Sequence, residues 1–202
     1  MNAISDFRGR ADLWRDFVRG IDRPTRQAHE IARRPFSYTV APALVGTFLI
    51  TVASLVAGLA DPTRHEVIPR ADALRAAFEA LAVVVPGAVV FGTYLRLRMT
   101  PGALVAATSL GLLTAGVVSL ALVPLVAFLA LVSQEVPMVL KAQPVLVPGV
   151  ALAAVASVVY RVIKASDPSA RAAVLARGFG VGVFALFAVR VLPVVQQLIA
   201  SR

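Results

Sequence analysis

The chain has 202 residues, 58% of them hydrophobic and 15% charged, against about 45–50% and 25% in an average soluble domain. With a mean hydropathy of +0.81, this composition excludes a disordered chain and points away from a soluble domain, to a polytopic membrane protein. The net charge is +9, and all but Lys141 and Lys164 of the 20 basic residues are arginine. They stand in tails and loops between apolar runs, the pattern that sets membrane orientation, so no nucleic-acid partner is expected. The chain has no cysteine, which excludes disulfides, thiolate metal sites and cysteine nucleophiles.

Residues 1–37 form a charged segment ahead of the first long apolar run, so no cleavable signal peptide is expected. Within it Phe7, Trp14, Phe17, Val18 and Ile21 recur at helical spacing, with Arg8, Asp12, Arg15, Asp16 and Arg19 between them. A helix of this kind lies in the membrane interface through Phe7, Trp14, Phe17 and Ile21, or packs on the ends of the spans. Both readings stay open, and they are compatible. Pro24 then opens a second short helix that ends before Pro35.

A spanning helix needs about 20 apolar residues to cross a hydrocarbon core about 30 Å thick. Five runs qualify: Tyr38 to Ala60, Leu74 to Leu95, Gly102 to Val132, Val145 to Ile163 and Gly178 to Ala200. Their backbone groups find no water to bond, so helix is the expected form. The fold class is therefore all-α: a five-span transmembrane bundle over residues 38–202, preceded by an amphipathic tail over residues 1–37. The third run is longer than one upright helix needs, and Pro124 lies two-thirds along it. It reads as one span, with a span plus a re-entrant segment as the alternative.

With five spans, one side of the membrane collects Arg8, Arg10, Arg15, Arg19, Arg23, Arg26, Arg33, Arg34, Arg96, Arg98, Arg161, Lys164, Arg171 and Arg177. The other collects Arg64, Arg70, Arg75, Lys141 and Arg202. Fourteen against five places the N-terminus in the cytoplasm and the C-terminus outside.

Packing is the strongest internal signal. Ala103, Ala107, Gly111, Ala115 and Ser119 stand at four-residue spacing in the third run. Gly149, Ala153 and Ser157 repeat the pattern in the fourth, and Gly178 and Gly182 open the fifth. Small residues at this interval let helix backbones approach closely. Such rows serve a seam inside one bundle, or a contact with a second copy or partner subunit.

Arg190 is the costly residue, because it lies near the middle of the fifth run. It either pairs with Glu79 of the second run, making a candidate intramembrane ion pair, or snorkels to the outer headgroups.

Catalytic and cofactor signals are missing. His29 and His65 fall on opposite sides of the membrane, so a bis-histidine haem or a histidine metal cluster within the spans is not available. No phosphate-binding glycine loop, GxSxG elbow or HExxH helix is present. Thr108, Ser109, Ser119 and Ser157 lack a nearby base and are expected to bond their own helix backbone. No enzymatic activity and no cofactor or metal is expected.

Taken together, the amphipathic tail, the basic-proline-aromatic lead-in Arg33-Arg34-Pro35-Phe36, the five close spans and the external C-terminus resemble the Yip1 family of five-span membrane proteins. The stretch from Tyr94 to Pro124 is similar to that family's short cytoplasmic turn and long apolar helix. The resemblance is one of organisation, and it implies a non-enzymatic integral membrane protein. The expected role is structural or scaffolding, through helix–helix contacts with membrane lipids around and a homo-oligomer or other membrane subunits as partners. A bacterial cytoplasmic membrane suits the arginine-rich, alanine- and valine-rich composition. An accessory or permease-like subunit of a transporter or energy-transducing complex is the alternative, with a short coupling helix expected between Lys164 and Arg177 or in the tail. A lipid-modulating tail is a third.

Overall fold

The computed structural model describes residues 24–33, 36–59, 67–132 and 137–200. The candidate interface residues Phe7, Trp14, Phe17 and Ile21 lie outside them. Among the described residues six helices run in order: α1 (Pro24–Ala32), α2 (Phe36–Leu59), α3 (Val67–Tyr94), α4 (Pro101–Val132), α5 (Pro137–Ser166) and α6 (Ala170–Ala200). There is no strand among the described residues. Helices α2 to α6 carry stretches long and apolar enough to cross a membrane: Tyr38–Ala57, Ala71–Tyr94, Pro101–Phe128, Val145–Ser166 and Ala170–Pro193.

Helix α1 is short and two-faced. Pro24, Gln27, Ala28 and Ile31 are buried at the i, i+3, i+4, i+7 spacing of one helix face, while Arg26 and His29 face outward. The buried face lies across the ends of α4 and α5, with the Ala32 Cβ 3.8 Å from where a side chain on Gly102 would begin. The ends of α3 and α6 meet there too, and this end of the bundle is called the α1 end below.

α4 is the centre of the molecule. From Ala103 to Gly116 nearly every side chain is buried, as expected of a helix apolar on all sides and enclosed on all sides. It packs against α2 on one side and α5 on the other, and α1 covers its first turn. α3 packs chiefly on α6. The main cluster runs through Leu104, Leu110, Leu152, Val155, Val159 and Val183. A second, smaller one joins Ala53, Ala57, Val126 and Val147 near the far end. Beyond Gly116, Val117, Val118, Leu120, Leu125 and Phe128 of α4 are exposed on the outside of the bundle.

The long third run is one continuous helix through Pro124, in line with the single span expected of it, as a spanning helix tolerates proline where neighbouring groups satisfy the freed carbonyl. Two differences from the sequence expectation follow from helix geometry. The helix of the fifth span, α6, starts at Ala170, eight residues before Gly178, because Arg171 and Arg177 are carried on its first turns. Arg190 therefore sits near the far end of the span, three residues short of Pro193, and not at mid-membrane. Finally, only Asp167, Pro168 and Ser169 separate α5 from α6, so no separate coupling helix exists between Lys164 and Arg177.

Candidate functional site

Two features organise the bundle: a set of tight helix crossings in the apolar part and a polar knot at the α1 end. The crossings depend on missing side chains. A Cβ on Gly46 of α2 would run into the backbone of Leu112 and Leu113 of α4. A Cβ on Gly116 of α4 would stand 2.8 Å from the Gly46 carbonyl oxygen and 2.9 Å from the Leu49 Cβ. On another face of α4, a Cβ on Gly111 would be 3.1 Å from the Val155 Cα of α5. Helix α4 thus holds two neighbours at backbone contact, where dispersion is strongest.

The small-residue rows divide. Ala103, Ala107, Gly111, Ala115 and Ser119 are all buried. Gly149 and Gly182 are half-buried, and a Cβ on Gly182 would stand 3.6 Å from the Val84 side chain of α3. Ala153 and Ser157 of α5 and Gly178 of α6 are exposed on the outside of the bundle. Gly116 stands outside the four-residue row, one position after Ala115. The signal for it was a second small residue beside the first, opening a second face of the same helix.

Hydroxyls inside the spans mostly bond their own helix. Thr108 donates to the Leu104 carbonyl at 3.0 Å, Ser109 to Val105 at 3.0 Å and Thr114 to Leu110 at 2.9 Å. Ser119 and Ser54 differ: each hydroxyl is enclosed without a hydrogen-bond partner.

The charged groups near the far end form a short chain. Glu79 accepts from Arg75 one turn earlier at 2.7 Å, and its other oxygen lies 3.8 Å from the Arg190 Nε of α6. Glu79 and Arg190 are therefore brought together across α3 and α6, but Arg75 makes the closer contact.

At the α1 end the polar groups knot the connections. Helix α3 closes with the Arg96 N–H bonding the Thr93 carbonyl and the Leu97 N–H bonding the Gly92 carbonyl. Arg96 is in the left-handed region, φ 51°, where this type of helix stop normally has glycine. Thr100 then caps α4, accepting from the Ala103 N–H on its hydroxyl at 3.3 Å. Asp167 is buried in the α5–α6 turn. It accepts from the Ser169 N–H at 3.0 Å and, across the molecule, from the Arg98 N–H at 3.1 Å. These donors hold its carboxyl below the usual carboxylate range, the Ser169 N–H most, then the Arg98 N–H and the Ser169 hydroxyl; the Arg98 charge adds to this and burial opposes it. Ser169 in turn caps α6 through the Ala172 N–H. Ser166 donates to the Val162 carbonyl at 2.7 Å and therefore accepts from His29 Nε2 at 2.8 Å, joining α1 to α5. Around this knot Arg96, Arg98 and Arg171 border an open cleft. Among the described residues no three His, Asp or Glu side chains gather to hold a metal.

Five apolar helices of this length and packing are those of an integral membrane protein. No family model, curated protein or solved structure matches the chain.

Proposed function

We propose that the chain is a non-enzymatic membrane component that acts as a structural or scaffolding element through helix–helix contacts, with a second copy or with other membrane subunits. The observation that carries this reading is the outward set of small residues, Ala153 and Ser157 on α5 and Gly178 on α6. The bundle leaves these positions uncovered, and a backbone bare beyond Cβ lets another helix come close. The five-span organisation also supports the Yip1-like reading made from the sequence. The basic residues Arg26, Arg33, Arg96, Arg98, Arg161, Lys164, Arg171 and Arg177 surround the α1 end, which we take as the cytoplasmic side. The C-terminus is then external, and a bacterial cytoplasmic membrane fits the composition.

The test uses the absence of native cysteine. Single variants Ala153→Cys and Ser157→Cys, oxidised in intact membranes, should give disulfide-linked dimers or mixed disulfides with another membrane subunit. Leu44→Cys, on a bulky exposed face of α2, should not. Monomers throughout, together with a monomeric mass in mild detergent, would remove the proposal. A second reading, the accessory subunit of a transporter, draws on α1, which lies across the helix ends where a nucleotide-binding partner would dock. Recovery with such a subunit from mild detergent would replace the first reading by the second.

A further inference from the structure

A groove of about 650 Å³ runs between α5 and α6 on the outside of the bundle. Ala156, Gly180, Val181 and Phe184 line its apolar length, and Tyr160 and Arg177 stand at its end nearest the α1 side. Arg177 is seven residues into α6 and Tyr160 six before the end of α5, so both lie roughly 10 Å below the turn at 1.5 Å rise per residue. From that depth near the span ends an arginine or lysine reaches outward to the headgroups along its own stem. The groove continues inward from there to Phe184 for roughly a further 10 Å.

Charge decides what fits. Beside the α1 end of the groove stands Lys164, whose Nζ lies 5.9 Å from the Tyr160 ring centroid, whereas Arg161 is turned the other way, its Nε on the Ser157 carbonyl at 3.4 Å. Arg177 has no hydrogen-bond or ion-pair partner among the described residues. Over the whole of α5, the turn and α6 the one acid is Asp167, and it is already committed to the Arg98 and Ser169 N–H groups. Among the described residues Lys164 and Arg177 thus have no acidic partner, at the α1 end of an apolar slot.

We propose that this groove is a binding site for an anionic phospholipid, with one acyl chain along Ala156, Gly180, Val181 and Phe184 and the phosphate held by Arg177 and Lys164. The site needs membrane insertion but not the scaffolding role, so either can fail without the other.

The full-length chain, purified in mild detergent, is offered phosphatidylglycerol, phosphatidylcholine or water-soluble glycerol phosphate, and bound lipid is counted by native mass spectrometry. The wild type should retain phosphatidylglycerol in preference to phosphatidylcholine. Changing Lys164→Gln and Arg177→Gln should lower that preference about five-fold for each charge removed. Gly180→Leu should abolish retention by filling the slot. A Cβ there meets only the Ala156 Cβ at 4.0 Å, so the fold should survive; Ala156→Leu fills the slot from the other wall if it does not. An unchanged preference in the charge variant would overturn the site, and so would wild-type retention in both slot-filling variants. Glycerol phosphate displacing the lipid at equal concentration would overturn the acyl-chain half of the proposal. Disulfide linkage between copies through Ala156→Cys or Phe184→Cys would show a second protein in the groove, and would overturn it too.

Discussion

Glycine is used for two opposite purposes in this chain. At Gly46 and Gly116 it allows backbone contact between α2 and α4, while Gly87 and Gly178 have nothing within 4 Å of a would-be Cβ. Replacing Gly116 with valine should therefore cost about 1–3 kcal/mol or more as an overpacked crossing. Gly178→Ala should gain up to about 1 kcal/mol from helix propensity. Thermal unfolding in one detergent, with both variants side by side, checks the contrast; equal Tm values would show that the α2–α4 crossing is not tight. Arg96 gives a second residue-scale test. Holding a non-glycine residue at φ 51° costs roughly 1–2 kcal/mol, so Arg96→Gly should raise Tm. Neither glycine role is readable from the sequence, where Gly46, Gly87, Gly116 and Gly178 all stand alike in apolar runs. Only the neighbour's distance separates them.

At the scale of elements, the α5–α6 turn is where two otherwise separate connections are joined. Asp167 caps its own turn and reaches the α3–α4 connection through the Arg98 N–H. Folding favours its ionised form, so the carboxyl titrates lower in the folded chain than in the unfolded one. Its contribution is then complete above the unfolded value of about 3.9 and is lost as pH falls from there through the lower folded value. Asp167→Ala should lower Tm at neutral pH, and the gap between variant and wild type should narrow as pH is taken below about 4. A gap independent of pH would show that the carboxylate is not the stabilising form. This element also explains where the sequence reading stopped short. Arg171 and Arg177 read as loop charges because a charge on average ends an apolar run. On the first turns of α6 they can project to the headgroups while the backbone beneath them is already helical, so α6 begins eight residues earlier than the apolar run. The Asp167–Arg98 contact joins residues 69 apart in sequence, and neither residue by itself marks the other.

For the whole molecule, the five spans among the described residues, an odd number, predict termini on opposite sides of the membrane. Reporter fusions should find the N-terminus with the basic α1 end in the cytoplasm and the C-terminus outside. Both termini in one compartment would contradict the count of five spans. The spans themselves were legible from hydropathy and length because the requirement behind them is local. Each backbone N–H and C=O in hydrocarbon must be paired within its own segment, so each long apolar run is a helix whatever surrounds it. Which helices meet was not legible. Helix α2 packs on α4 rather than on its sequence neighbour α3, and α3 packs on α6. The sequence alone thus determined a five-helix membrane bundle with a strongly basic side. The tertiary structure alone decided that the Ala103–Ser119 row turns inward, that Ala153, Ser157 and Gly178 turn outward, and that α5 and α6 leave a groove with Lys164 and Arg177 at its end. The physical reason is that lipid is as apolar as leucine, so solvent does not choose between one apolar face and another. Choice falls to close-range dispersion, which depends on fractions of an ångström between particular side chains, and that fit exists only once the helices are side by side.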